Sequence, residues 1–509
     1  MSNNISDNKR IAKNTVLLYI RTIIVLVISL YTSRLILKAL GVDDLGIYNV
    51  VGGIVLLMFF FRNALARATS RFITYEIGNG SGDATLNRVF SSAMTIHLII
   101  AAIALLLGET VGYYILKEWT VIPAERLHAA FIVYQCSLII FVLQLLTTPY
   151  ESVIIAHEDM NVYAYLSILS VLLKLGAVLL LFTDLADRLV LYGVLLVLMD
   201  LLLLVIYLVY SNRKYHYLQF KLLWDKTFSR QMFTFSGWTL LGSSTNAATQ
   251  QGVSLLFNNF IGLVANTALG FAGQVNSALQ SFVGSFQTAF NPQVIKLYAQ
   301  EDLSQMRLLM TRASKYSFML AYVIALPLIA NMEFVLGIWL GDIPKYTVEF
   351  CQLILICCII DSTTGVLNTA ITATGNIKGF QIGISISFIL DLLTAALLLI
   401  FQFSPVLVFA SRIITRGLIN MAIELYFVRK QLKFGVRSYI KDVLIPIILT
   451  GILTVPPIYL ITLNCDKLLS LLISCSVSVV LCGIITYFIF FNKHEREVVI
   501  NSISARIKR

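Results

Sequence analysis

The residues of this chain best placed to do chemistry are the few ionisable groups set inside long apolar runs. Lys174 and Asp200, Asp391 and Arg416, Asp361, Arg412 and Arg21 all interrupt stretches of Leu, Ile, Val and Phe. Each costs at least ~2.5 kcal/mol in hydrocarbon, so each needs a partner or a function. Lys174 and Asp200 fall near the centres of consecutive apolar runs at matching depth, and Asp391 and Arg416 repeat that relation later in the chain. Such pairs act either as mutually neutralising structural ion pairs or as sites where one member binds and releases a coupling ion. Arg412, Arg416, Asn420 and Glu424 recur every four residues, a charged stripe on one helix face, and Asp361 heads a second polar face with Thr364, Asn368 and Thr372. Arg21 and Arg34 are thirteen positions apart, about 220° around a helix, so both cannot face one cavity. Arg21 is the deeper of the two, and Arg34 reaches the outer end, where its side chain can snorkel.

Uncharged polar residues form two further stripes. Ser236, Thr239, Ser243, Asn246, Gln250, Ser254 and Asn258 follow one another by three or four residues, and Gln274, Ser277, Ser281 and Ser285 do the same. Small polar residues commonly pack helices together. The run that includes Asn246 and Gln250, facing Gln274, reads further as a cavity wall whose amides and hydroxyls suit a sugar or headgroup better than a planar cation.

Enzyme chemistry finds little to work with. The five histidines are scattered without paired-ligand spacing, His157-Glu158-Asp159 reads as a solvated turn, and neither a GxSxG elbow nor a GxxxxGK[ST] loop is present. No zinc spacing or disulfide framework emerges from seven cysteines, six of them inside apolar runs. Neither a metal nor an organic cofactor is therefore expected.

The elements that must carry these groups follow from composition. Of 509 residues 58% are hydrophobic and 13% charged, and mean hydropathy is +0.84. Those values exclude a soluble globular, a disordered or a disulfide-stapled secreted protein and define an all-α polytopic membrane protein. Fourteen spans are expected, near 13–38, 44–66, 89–116, 127–156, 160–182, 189–211, 233–261, 264–290, 312–336, 347–373, 379–402, 405–428, 442–463 and 467–491. The first is too long for a cleaved signal peptide. With the N-terminus inside, the loops on that side carry 27 of the 38 Lys and Arg residues, the opposite loops carry 6, and 5 lie within spans. A missed odd span would scramble that bias, so both termini are expected in the cytoplasm. The net charge of +11 thus reflects membrane topology and not nucleic-acid binding.

The organisation expected is an N-lobe at 1–211, a cytoplasmic amphipathic linker at 212–232, a C-lobe at 233–430, and two further helices with a basic tail at 431–509. Leu40-Gly41 and Leu45-Gly46-Ile47-Tyr48 find faint echoes in Ile261-Gly262 and Leu269-Gly270-Phe271. Copies six spans apart keep one direction, as in parallel transporter repeats.

Three stretches carry a family resemblance: Asn8-Lys9-Arg10-Ile11-Ala12-Lys13-Asn14-Thr15, Leu30-Tyr31-Thr32-Ser33-Arg34, and residues 40–53 from Leu40-Gly41 to Gly52-Gly53. Together with Phe290-Asn291-Pro292-Gln293 they resemble bacterial polysaccharide-export proteins. These are lipid-linked oligosaccharide flippases of the superfamily that includes the multidrug and toxin extrusion (MATE) transporters. The resemblance implies two six-helix lobes in a V shape plus two C-terminal helices, in the bacterial inner membrane. It implies as cargo an oligosaccharide on polyprenyl diphosphate, flipped to the outer leaflet by alternating access for capsule or O-antigen synthesis. Glycan-assembly proteins would be partners alongside the bilayer. Arg21, with Arg62 and Arg67 toward the inner mouth, fits the basic residues that meet the diphosphate, since a guanidinium binds phosphate through two parallel hydrogen bonds. Na+ or H+ is the coupling ion the resemblance allows, although Asp200 is the only mid-span carboxylate of the first lobe. An ion-coupled multidrug exporter is the alternative, with an acidic, aromatic cavity as its requirement. A membrane glycan polymerase ranks lower because the outer loops are too small to hold an acceptor.

Overall fold

The structure is a computed structural model that describes residues 2–118, 122–183, 187–491 and 496, with side chains from 14 onward except at 42–43, 49, 53–54, 56–60 and 263. The basic tail from Lys493, apart from Arg496, and the side chains of residues 8–13 lie outside the described residues.

Hydrocarbon offers no partner for a peptide group, so a chain of this composition folds into helices that satisfy their own backbone. Fourteen long helices follow one another among the described residues. They are α1 (2–40), α2 (42–78), α3 (Asp83–Glu118), α4 (Ala124–Ala156), α5 (Met160–Leu180), α6 (Arg188–Lys214), α7 (Lys226–Phe260) and α8 (Leu263–Ala299). Then come α9 (Leu303–Ala330), α10 (Thr347–Ala373), α11 (Lys378–Ile400), α12 (Pro405–Leu432), α13 (Val436–Asn464) and α14 (Lys467–Phe490). Eleven are long and apolar enough to cross a membrane; α2, α7 and α8 are not among them. At 35 and 37 residues α7 and α8 have ample length, but their polar stripes lower their hydropathy. Between α1 and α2 the chain turns on Gly41 alone, at φ 75° and ψ −179°. That backbone region is accessible essentially only to glycine, which explains Leu40-Gly41 at the end of the first apolar run.

The described chain forms two compact units. The first comprises Met1–Ser244, Thr288–Asp302 and Gly375–Lys378, and the second Thr245–Gln287, Leu303–Thr374 and Gly379–Arg509. In the first unit α4 is central, packing on α6 and on the α1–α2 pair around Ala93, Ala130, Val133, Tyr134, Phe141 and Val153. In the second, α9 and α10 pack around Phe257, Phe350, Cys351 and Leu355.

Helices α13 and α14 lie against α9 through small faces. Ser470, Ser474, Ser478 and Cys482 bury one stripe of α14, and Thr450, Thr454 and Ile458 one stripe of α13. Small residues let helix backbones approach, and their hydroxyls add bonds across the contact. Ser470 donates to Asn331 (2.7 Å), and Tyr322 and Thr454 share a hydrogen bond of 2.7 Å.

The linker between α6 and α7 departs from the amphipathic helix expected for it. Residues 218–225 run extended along α3 instead, because Asn87, Ser91 and Thr95 stand ready to bond them. The ends of α4, α5, α6 and α8 also meet near that linker. The His157 ring stacks on Tyr215 (centroids 4.5 Å, 18°), with Nε2 3.0 Å from the Tyr217 hydroxyl. Asp159 accepts from the Tyr215 hydroxyl and pairs with Lys214 (2.8 Å). Glu158, in a left-handed conformation at φ 61°, takes the Lys296 ammonium at 2.7 Å and the Gln293 amide at 3.3 Å. The expected solvated turn is therefore a clasp, in which Glu158 is buried because α8 supplies a cation.

Two outcomes follow. A Cβ at Gly78, the last residue of α2, would sit 2.6 Å from Lys296 Cα. Backbone cannot move as a side-chain tip can, so Gly78→Ala should cost ~1–3 kcal/mol, read as a lower midpoint of thermal unfolding in detergent. Burial first, then the Lys296 charge, pushes His157 down to about 4, with Lys214 adding to the shift and Asp159 and Glu158 opposing it. The unfolded imidazole titrates near ~6.5, so it takes up a proton that the folded one refuses. Stability held above that value should therefore fall as pH drops from ~6.5 toward 4. The thermal midpoint measured against pH should be flatter across that window in His157→Gln.

Candidate functional site

Each unit contains one polar network inside its helix bundle. In the first unit it centres on Arg62 of α2, whose guanidinium faces a polar strip on α4. Its Nε donates to Thr148 Oγ1 (3.3 Å), Nη1 to Gln144 Oε1 (3.3 Å), and Nη2 stands 3.6 Å from a Glu151 carboxylate oxygen. Gln144 then donates through Nε2 to Asp200 Oδ2 on α6 (3.2 Å). The Arg21 guanidinium lies over the Tyr163 ring (5.3 Å), within electrostatic reach of Glu151, and its Nε is buried without a hydrogen-bond partner among the described residues. Arg21 and Arg62, which sequence spacing could not connect, thus share one carboxylate neighbour. Arg67 is exposed and joins no described bond of this network.

The arrangement offers guanidinium N–H groups in a partly enclosed setting, which is chemistry able to hold an anion. Arg62 meets Glu151 in a loose contact at 3.6 Å that is a quarter exposed, and Arg21 acts on the same carboxylate from longer range. A phosphate offering bidentate geometry can compete with such a carboxylate. Gln144, Thr148 and Glu151 were not singled out from sequence. Their spacing of four and three residues in an otherwise apolar helix is the signal that marks them, and Glu151 adds a second carboxylate to Asp200. The contact pair expected between Lys174 and Asp200 does not form among the described residues. Lys174 acts on Asp200 only at longer range, because Gln144 on the tightly packed α4 is the nearer donor.

Close beside the α4 part of this network is a cavity of about 280 Å³, lined by Phe61, Leu65, Ile103, Phe141, Phe233 and Leu240 with Ser236 as a polar atom. It has the surface character of a hydrocarbon-chain site.

The second unit's network lies on α12. Asp391 of α11 is fully buried and pairs with Arg412 (3.2 Å), while Thr415 donates to its other oxygen (2.7 Å). This corrects the expected Asp391–Arg416 pair. A π-helical turn at Ile413–Leu418, bonded from i to i+5, widens the helix there and shifts the four-residue stripe. Arg416 instead lies over Phe388 (4.8 Å) and donates to Asn246 of α7. Asn246 also accepts from Gln250 (3.3 Å), which makes it the joint between the α7 stripe and the α12 charges. Ser387 ties α11 to α12, donating to Asn420 Oδ1 (2.5 Å) and Thr415 O (2.8 Å). Asp361 is exposed on α10 within electrostatic reach of Arg416 and Arg412. Glu424, the last member of the expected stripe, is buried against Thr364 and Asn368.

The α8 stripe is less outward-looking than its sequence suggests. Ser277, Ser281 and Ser285 donate to carbonyls of their own helix, four residues back. Gln274 remains exposed. Hydroxyls committed this way need no partner on another helix.

No protein-family model matches the sequence, and no curated protein matches it. Solved structures do. A MATE protein in its straight conformation aligns with 84% of this chain and 96% of its own, with TM-score 0.71 and 13% identity. An outward-facing multidrug resistance MATE family transporter aligns over 83% and 96%, with TM-score 0.66 and 13% identity. A MOP superfamily transporter from Pyrococcus furiosus, described as having a binding pocket of reversed polarity that suggests a different function, aligns over 83% and 96%, with TM-score 0.70 and 12% identity. The chain has a MATE-like fold.

Removing one partner of a buried ion pair leaves the other charge uncompensated. Arg412→Ala should therefore cost ~3–5 kcal/mol, whereas Arg412→Ala with Asp391→Ala should recover much of it. A double-mutant cycle on thermal unfolding measures the difference.

Proposed function

We propose that this protein is a transporter that flips a polyprenyl-diphosphate-linked oligosaccharide across the bacterial cytoplasmic membrane by alternating access, in the synthesis of capsule or O-antigen. The observation that carries this reading is the pair Arg21 and Arg62, one with an unsatisfied buried N–H and the other loosely held by Glu151. Glu151 and Asp200 balance the two guanidinium groups in formal charge, so the support for a diphosphate is the unanswered Arg21 N–H and the loose Arg62 contact. The neighbouring apolar cavity suits an isoprenoid chain, and Asn246, Gln250 and Gln274 offer amides to sugar hydroxyls. Arg67 serves as an outlying basic contact. The proposal includes fourteen spans, arranged as an N-lobe and a C-lobe in a V shape with α13 and α14 appended, and both termini in the cytoplasm. In it Lys174, Asp200, Asp361, Asp391, Arg412 and Arg416 tune stability or couple Na+ or H+ to movement.

A fold shared with multidrug exporters supports a second reading, export of cations. The fold also includes a transporter described with a pocket of reversed polarity that suggests a different function, so the fold by itself does not select the exporter.

In proteoliposomes loaded with a lipid-linked oligosaccharide, an external glycosidase should cleave substrate as it reaches the outer leaflet. Arg21→Ala and Arg62→Ala should each slow exposure about tenfold or more, the loss expected for one charge-assisted contact, with the thermal midpoint kept in Arg21→Ala and lowered in Arg62→Ala, which leaves Glu151 without its ion-pair partner. Wild-type protein that exposes no substrate but expels a cationic dye under an ion gradient would refute the flippase and support the exporter.

A further inference from the structure

The extended linker has a geometry that neither cargo nor coupling explains. Two residues of extended chain advance about 6.6 Å, and four residues of helix about 6 Å. Gln219, Lys221 and Leu223 therefore come into register with Asn87, Ser91 and Thr95, and their N–H groups donate to those side chains at 3.2, 3.3 and 3.2 Å. Ser91 returns a bond to Gln219 O (3.4 Å), and Asp225 closes the strap by pairing with Arg88 and capping α7 through the N–H groups of Thr227 and Phe228.

Alternation sends the other N–H groups, those of Phe220, Leu222 and Trp224, to the opposite edge, where they make no hydrogen bond among the described residues. The side chains of these same three residues are 45%, 78% and 54% exposed. Trp224 further meets Phe233, itself 40% exposed (centroids 6.2 Å). Residues 211–232 also carry the exposed cations Arg213, Lys221, Lys226 and Arg230, and their one acidic residue, Asp225, is committed to Arg88.

These features exclude two environments. Hydrocarbon cannot accept from three free N–H groups, and bulk water gains nothing from Phe, Leu and Trp presented together. The boundary between acyl chains and headgroups satisfies all of them: apolar side chains enter the acyl layer, Trp sits at its preferred level, and N–H groups and cations reach phosphate oxygens. The strap is also continuous with the bilayer, since α6 is a candidate span that ends at Lys214, and α7 begins at Lys226.

We propose that the 219–226 strap is a lipid-recognition element that seats Phe220, Leu222 and Trp224 at the headgroup boundary of an anionic leaflet. It holds anionic phospholipid through Arg213, Lys221, Lys226 and Arg230. This does not depend on the cargo.

The test uses the full chain in nanodiscs containing phospholipid brominated at defined acyl positions, with a phosphatidylglycerol or a phosphatidylcholine headgroup. Trp224 is read as the sole tryptophan, with Trp119, Trp238 and Trp339 changed to Phe. It is read independently as the difference between wild type and Trp224→Phe, which leaves the other three in place should the triple variant misfold. Blue-shifted emission, quenched more by bromine near the carbonyl than at mid-chain and more by phosphatidylglycerol, is expected. Lys221→Gln with Lys226→Gln and Arg230→Gln should reduce that headgroup preference about fivefold or more. Emission typical of water, quenched by iodide and not by bromolipid, would overturn the proposal and point to a soluble protein partner. Mid-chain quenching indifferent to headgroup would overturn it too, leaving an ordinary span surface.

Discussion

The bilayer interior supplies no hydrogen-bond partners, and nearly every local feature of this protein answers to that shortage. Backbone groups are satisfied within helices, and the sharp break between α1 and α2 falls on a glycine. Hydroxyls follow the same rule: those of Ser277, Ser281 and Ser285 turn back onto their own helix carbonyls. Even the extended strap after α6 arranges for half of its N–H groups to be met by Asn87, Ser91 and Thr95.

Charges obey the same shortage with a sharper penalty, and the two units meet it differently. In the second unit the buried carboxylate Asp391 accepts from Thr415 at one oxygen and stands against the Arg412 cation at the other, an ion pair without a hydrogen bond at Arg412 Nε among the described residues. Such an arrangement resists change, because loosening any member exposes an uncompensated charge. In the first unit Arg62 spreads three longer contacts over Gln144, Thr148 and Glu151, and Arg21 leaves an N–H unanswered. Each network leaves a buried arginine N–H without a hydrogen bond, and what sets the first apart is that Arg62 is spread over three long contacts instead of one close carboxylate.

Much of the architecture was legible before any coordinate. Apolar runs, the lone Gly41 and the polar connection after Ser211 give the order of the fourteen helices, although α1, α2, α8 and α9 extend about ten residues beyond the apolar runs at one end, where polar turns continue the helix. Site contacts were legible only in part. Arg21 and Arg62 are conspicuous by charge, but Gln144, Thr148 and Glu151 escape notice because amides, hydroxyls and one helix-end carboxylate are common in any chain. The Asp391 partner was misread since the four-residue period assumes a regular α-helix, and the π-helical turn at Ile413–Leu418 breaks it. The linker was misread for a related reason. Its Lys, Leu, Trp and Phe suit an amphipathic helix when taken alone, and only the ladder on α3 makes the extended form better bonded.

The sequence by itself therefore determined the membrane environment, the helical class and the order of spans, because these depend on the transfer of one segment at a time out of water. Tertiary structure decided which charges meet: Arg412 and not Arg416 for Asp391, Gln144 and not Lys174 for Asp200, Arg21 and Arg62 around one glutamate. Those choices turn on helix rotation and on local departures from the regular turn. A single residue of shift swings a side chain by about 100°, far more than any composition can record.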